Sequence, residues 1–348
     1  MKKKKLREAL SETVVSPPSE KEDEMLFTSL RASTWKEFAG QIHVKKNLRV
    51  AIDAAKKRKE ALEHILLYGP PGLGKTTLAM LVGKELGVNV KVTSGPAIER
   101  AGDLAAILTS LTPRDILFID EVHRLHKVVE ETLYPAMEDY ALDIILGKGP
   151  SARTLRLDLP PFTIIGATTR AGLLSSPMRN RFGVILRLSF YTPTELVEIL
   201  THAAKKLHIS IEKTALQELA RRSRGTPRIA LRLLKRARDV AQIRGTDNIT
   251  HGTVSETLGM LAIDELGLDD SDYRYLALLI DKHHGGPIGI ETLAAALSED
   301  IGTLEEVIEP YLLQTGLIKR TPRGRVATDA SYTHLKRHAK PKHQEKLL

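Results

Sequence analysis

One stretch limits the fold more than any other. Ile65-Leu66-Leu67-Tyr68 runs directly into Gly69-Pro70-Pro71-Gly72-Leu73-Gly74-Lys75-Thr76, and an amphipathic stretch, 77–86, follows. Four apolar residues ending at a glycine read as a buried strand. The loop fits G-x-x-x-x-G-K-[ST], a spacing that a chain of this length meets by chance on the order of one time in a hundred. Its glycines, Gly72 and Gly74 among them, let consecutive backbone N–H groups turn toward phosphate oxygens with no Cβ in the way. The helix beginning near Lys75 adds its positive end. Lys75 suits the β- and γ-phosphates of a bound ATP, the Thr76 hydroxyl suits Mg²⁺, and Thr77 belongs to the same cradle.

Further apolar runs repeat the texture. Ile116-Leu117-Phe118-Ile119, Thr163-Ile164-Ile165 and Val184-Ile185-Leu186 alternate with helical stretches, which predicts a parallel sheet with helices on its faces. The first run ends in Asp120-Glu121. After a phosphate loop, Asp120 is placed for the Mg²⁺ shell and Glu121 for orienting and deprotonating the attacking water. His123 is read as a packing or supporting residue, not a base. Gly166-Ala167-Thr168-Thr169-Arg170 offers a hydroxyl to sense the γ-phosphate, with Thr168 or Thr169 serving as sensor or as helix cap. Arg179-Asn180-Arg181 is either surface charge or an arginine finger reaching a neighbouring subunit. Arg228, in Gly225-Thr226-Pro227-Arg228, opens a helix whose dipole opposes it, so a nearby anion would offset the mismatch.

Beyond Tyr191 the pattern turns helical. Thr192 with Glu195 forms a capping box, and Pro193 sits at the first helical position. Helices are predicted over about 212–223, from Thr226-Pro227 onward, and from about Thr250. From Glu265 three short helices, 273–283, 288–297 and 303–314 (interrupted by Pro310), lead to a hairpin around Pro322-Arg323-Gly324, a winged-helix pattern. The predicted organisation is a tail (1–25), an α/β P-loop ATPase domain (26–191), a small α-helical lid (192–262), a C-terminal winged-helix domain (265–335) and a basic tail (336–348).

Composition narrows the partners. The net charge of +9 favours a polyanion, and the absence of cysteine excludes thiol catalysis and Cys-based metal sites. Aromatics at 4% argue against a base-stacking platform. No apolar run follows Lys2–Lys5 and none is long enough to span a bilayer, so neither a secretory leader nor a membrane partner is expected, and the cytoplasm is.

These motifs together resemble an AAA+ ATPase. Leu133–Tyr140, Gly147–Arg153, Leu157–Thr163, Ala167–Leu174 and Arg320–Arg325 are similar to the RuvB family of Holliday-junction branch-migration motors, over about residues 28–335. The resemblance implies ATP and Mg²⁺ as cofactors and a homo-oligomeric ring, a hexamer. It implies the double-stranded arms of a four-way junction and RuvA as partners. It places Leu30 and Arg31 over the adenine, although the family's following Pro is Ala32 here and Ala39 replaces a larger apolar residue. It puts Glu138, Asp139, Tyr140, Arg181, Tyr191 and Arg228 against nucleotide, with Arg181 acting in trans. The segment 142–159 reads as a β-hairpin with surplus apolar surface. Ile144, Ile145 and Leu146 are its partner-binding anchors, and in RuvB-like proteins such a hairpin docks RuvA.

DNA contact is assigned to Arg320, Arg323 and Arg325 of the wing. The preceding helix carries Glu305, Glu306 and Glu309 and would be repelled by phosphates. Two alternatives share some features. A clamp-loader-like or initiator AAA+ ATPase would lack the hairpin and the basic wing, and a non-enzymatic DNA scaffold would not keep Lys75, Asp120 and Glu121 together.

Overall fold

The structure, a computed structural model, describes residues 29–146 and 153–337. The proposed tails, apart from residues 336 and 337, the first residues of the ATPase domain, 26–28, and the hairpin tip around Lys148 lie outside the described residues.

A five-stranded parallel sheet forms the first unit, in the order β2-β3-β6-β1-β7. Its strands are β1 Ile65–Tyr68, β2 Val90–Ser94, β3 Ile116–Asp120, β6 Thr163–Thr168 and β7 Val184–Arg187. Strand alternation sorts the core. Ile65, Leu67, Ile116, Phe118 and Ile165 face helices α1 Ile42–Arg58 and α2 Lys75–Leu86. Leu66, Leu117, Ile119 and Ile164 face α3 Ala101–Thr109 and α4 Lys127–Glu138. Burial on both faces explains why these strands read as unbroken apolar runs. Strand β2, with one partner, is half-buried and mixed in character, so its pattern gave no signal.

Between α4 and β6 the expected hairpin pairs β4 Ala141–Leu146 with antiparallel β5 Arg153–Asp158. Its leucines divide: Leu142 and Leu159 are buried in the sheet's core, whereas Leu155 is exposed. After the short helix α5 Ser176–Asn180 and β7 comes the lid: α6 Pro193–Lys206, α7 Lys213–Arg222, α8 Pro227–Ile243 and α9 His251–Met260. The Thr192–Glu195 capping box is formed on both sides. Two short strands, β8 Ser210–Ile211 and β9 Asn248–Ile249, tie the lid together.

The third unit has its own core. Helix α10 Asp270–Ala277 widens into a π-turn, Leu278–Lys282, and α11 Ile290–Leu297 follows. The run 301–314 is not broken at Pro310. It widens into a π-turn at Leu304–Ile308, which places Pro310 in the first turn of Glu309–Gln314, where its missing N–H costs nothing. Strands β10 Ile318–Thr321 and β11 Gly324–Ala327 form the wing. Glu309 is fully buried, and its carboxylate accepts from Tyr275 Oη at 2.9 Å, Arg325 Nε at 2.9 Å and Arg320 Nε at 2.9 Å.

This network carries the first test. Replacing Glu309 with Ala takes the fully buried partner from the nearly buried Arg325 guanidinium, leaving it Glu305 at 3.2 Å, and breaking a buried pair from one side costs about 3–5 kcal/mol. Hydrogen exchange in the full chain should show strands β10 and β11 losing protection by that amount. A loss under about 1 kcal/mol, the level of a surface pair, would contradict this account.

Candidate active site

In a parallel sheet, ligands bind beyond the carboxyl ends of the strands. Here the ends of β1, β3 and β6 open into a cleft of about 540 Å³ closed on its far side by the lid. The loop 69–74 takes conformations suited to glycine: φ is 144° at Gly69, 77° at Gly72 and 95° at Gly74. A Cβ on Gly69 would stand 2.4 Å from the Leu188 carbonyl oxygen, and one on Gly72 would stand 2.8 Å from Thr226 Cγ2. The second clash shows how closely the loop meets the lid. Arg228 follows Thr226 at the start of α8, and its backbone N–H donates to the Gly72 carbonyl at 3.4 Å.

Lys75 is buried in this loop. Its Nζ donates to the carbonyls of Gly69 at 2.8 Å and Pro70 at 2.9 Å. Burial depresses its pKa to about 8, against the opposing pull of Asp120 and Glu306. Asp120, Glu121 and Thr76 line the same cleft. Asp120 Oδ1 accepts from the Glu121 backbone N–H at 2.9 Å, and Glu121 pairs with Arg124 at 2.9 Å. Thr76 and Asp120 supply one hydroxyl and one carboxylate. That sparse donor set fits Mg²⁺, which keeps waters and takes phosphate oxygens.

The two threonines separate. Thr168 ends β6 facing the α3–α4 side, where it is buried. Its hydroxyl meets His123 Nδ1 at 2.9 Å and accepts from Arg170 N at 3.0 Å. Strand alternation turns the next residue into the cleft, so Thr169 lines it and Thr168 does not. Burial lowers the pKa of His123, in keeping with a supporting role.

At the opposite end Leu30, Ala32, Phe38 and Ala39 meet Tyr191, Ile199 and Leu231 to make an apolar slot, with Arg31 beside it. Tyr191 Oη donates to the Leu73 carbonyl at 3.1 Å, and burial pushes its phenol up. Lys206 of the lid crosses over, donating to the Arg31 carbonyl at 2.6 Å and pairing with Glu37 at 2.9 Å. The Ser33 backbone N–H and then Lys206 hold Glu37 down to about 2.

Four residues expected at nucleotide stand outside this cleft. Arg181 pairs with Glu138 at 3.0 Å and lies 4.2 Å above the Tyr134 ring. Asp139 pairs with Arg156 of the hairpin at 2.9 Å, and Tyr140 packs edge-on against Phe162. None of the four lines the cleft. The acidic helix is likewise not repelled into solvent. Glu305 and Glu306 pair with Arg170, and Glu305 also with Arg325. In the wing, Arg325 is spent on Glu305 and Glu309 and is 14% exposed, Arg320 holds Glu309 yet stays half-exposed, and Arg323 is exposed at the turn. Of Ile144, Ile145 and Leu146 the backbone pairing is described and the side chains lie outside the described residues.

The comparisons with known proteins agree across all three units. Residues 30–188 match the Holliday junction DNA helicase RuvB P-loop domain, 191–264 the RuvB AAA lid domain and 265–336 the RuvB C-terminal winged helix domain. The solved structure of the Thermotoga maritima RuvB Holliday junction branch migration motor is 51% identical, covers 90% of this chain and 100% of its own, and has a TM-score of 0.83. A point variant of that protein aligns at 51% identity over 89% of this chain and 99% of its own, with a TM-score of 0.84. This chain belongs to the RuvB family. As a RuvB-family P-loop ATPase it is an ATP-hydrolysing motor homologue, and no helix among its described residues is long and apolar enough to cross a membrane. Sequence reasoning missed Arg170, Lys206 and the docking of Glu306. Each acts across 135 or more residues of chain, and no local pattern encodes such a contact.

The depressed Lys75 pKa gives a pH test. Above about pH 8 the free protein holds Lys75 neutral, and polyphosphate favours its charged form. Nucleotide binding should therefore take up a proton there and weaken as pH rises, by up to about tenfold per unit. Calorimetry in buffers of different ionisation enthalpy reads the uptake directly. Proton-neutral binding at pH 9 would contradict the assignment.

Proposed function

We propose that this RuvB-family chain drives branch migration of Holliday junctions in the cytoplasm, as a hexameric ring working with RuvA and fuelled by Mg-ATP. The observation that carries the reading is the convergence of Lys75, Thr76, Asp120, Glu121, Thr169 and the lid's Arg228 on one cleft, while Arg181 lies outside it. A finger that misses its own site calls for a neighbour, and hence for a ring. The domain limits we assign are 26–191, 192–262 and 265–335.

Lys75 and the backbone N–H groups of the loop bind the phosphates, and the slot of Leu30, Phe38 and Tyr191 takes the adenine. Thr76 and Asp120 would hold Mg²⁺, which when bound would supply charge neutralisation at the phosphates. Glu121 accepts the proton of the attacking water once it leaves Arg124. Thr169 takes the sensing role and Thr168 braces it through His123. Arg181 with its partner Glu138, and the adjoining Asp139 and Tyr140, face the neighbouring subunit's ATP. The hairpin, through Ile144, Ile145 and Leu146, is the RuvA-docking element. DNA contact rests on Arg323, Arg320 and the exposed Lys319, and Arg325 braces the wing from within.

Three measurements test this. Glu121→Gln should bind ATP and fail to turn it over, and sustained turnover would remove Glu121 from its role. Arg181→Ala should bind ATP but lose roughly 10³–10⁵ in hydrolysis rate. Activity should return when it is mixed with Lys75→Ala subunits, and inert mixtures would count against a shared site. Arg323→Ala should weaken duplex binding equally on unrelated sequences and lower the salt slope by about one unit. A loss confined to one sequence would mean base readout.

A further inference from the structure

At the polar end of the cleft, the lining residue Thr169 is already bonded to an anion. Glu306, from the winged-helix domain, accepts a hydrogen bond from Thr169 Oγ1 at 3.0 Å and pairs with Arg170 Nε at 2.7 Å. Arg170 Nη2 stands 3.4 Å from Glu305 and, although buried, makes no hydrogen bond, so the guanidinium retains donor capacity. Glu306 is also close enough to stabilise the Lys75 ammonium electrostatically. A carboxylate with two acceptor oxygens, seated on a hydroxyl and a guanidinium and facing the phosphate-loop lysine, has the charge and hydrogen-bonding character of a terminal phosphate.

Resting on the nucleotide-site reading above, we propose that Glu306 is an internal competitor of the γ-phosphate: it sets the cleft's preference between nucleoside di- and triphosphates, and its expulsion by the γ-phosphate releases the winged-helix domain from the ATPase domain. The argument is electrostatic. Two anions of like sign cannot share Thr169, Arg170 and the Lys75 field in a partly desolvated cleft. ADP ends at the β-phosphate, which the loop holds, and leaves Glu306 in place. ATP adds the group that needs Glu306's partners. A ligand shifts a conformational equilibrium only by its differential affinity for the two states, and the γ-phosphate is where ATP and ADP differ. Binding energy spent on displacing Glu306 therefore appears as movement of the winged-helix domain, not as affinity.

The test uses full-length protein in a Glu121→Gln background, so that ATP persists. Glu306→Gln keeps the size of the side chain and an acceptor for Thr169 while removing the charge. It should tighten ATP binding by about tenfold, within the usual range of coupling between sites, and leave ADP within about twofold. Equal tightening of both nucleotides, or of neither, would overturn the competition. If the parent with Glu306 intact binds no ATP, the site reading fails and this inference with it, an outcome distinct from the other two. Release is read without altering Glu306. The sequence has no cysteine, so dyes at Lys127→Cys and Lys319→Cys, on labelled subunits diluted into unlabelled ones, report the separation of the two domains. It should increase with ATP and stay at the nucleotide-free value with ADP. An ATP-insensitive distance would overturn the proposal even if the Glu306→Gln protein misfolded.

Discussion

The Lys75 ammonium, buried and held by two carbonyls of its own loop, is the interaction on which the rest depends. A desolvated cation is costly unless anions surround it. The fold supplies two, Asp120 at the end of β3 and Glu306 from the winged-helix domain, and the polyphosphate of a nucleotide would add a third. The glycines of 69–74 make the loop tight enough to bury the lysine, and the same tightness brings the lid's Thr226 and Arg228 against Gly72. The site thus spans two domains and is touched by a third.

Arg224 is a fastening point between lid and winged-helix domain. Arg224 is 8% exposed. It donates to the Gly267 carbonyl at 2.6 Å, pairs with Asp269 at 2.8 Å and Asp272 at 2.5 Å, and lies 5.6 Å above the Tyr311 ring. It sits four residues before Arg228, in the turn that packs on the phosphate loop. Those contacts join the turn to the winged-helix domain through a buried charge pair, and breaking such a pair from one side costs about 3–5 kcal/mol. The opposite contact, Glu306 with Thr169 and Arg170, is partly exposed and made by single side chains, which suits a joint that opens.

The charged residues show why sequence and structure diverge on function. Lys319, Arg320, Arg323 and Arg325 look equivalent along the chain, but strand pairing sends Arg325 inward to Glu309 and leaves Arg323 outside. The acidic run 305–309 looks like a repulsive face, yet each of its three carboxylates is occupied by an arginine, a threonine or a tyrosine. A sequence counts charges, and folding decides which of them are neutralised.

The sequence by itself determined the elements and the chemistry. Four of the five parallel strands, the phosphate loop, the Asp120-Glu121 pair, the capped lid helices and the wing are local patterns, governed by periodicity of burial and by conformations that glycine and proline allow. Tertiary structure alone decided which threonine faces the cleft, that Arg181 and Glu138–Tyr140 turn away from it, that Pro310 is absorbed by a π-turn, and that Glu306 seats itself at Thr169. The reason is range. Spacing within a helix or strand is fixed by bonds only a few residues apart, whereas these outcomes depend on which surfaces meet after the three domains pack, across up to 175 residues of chain.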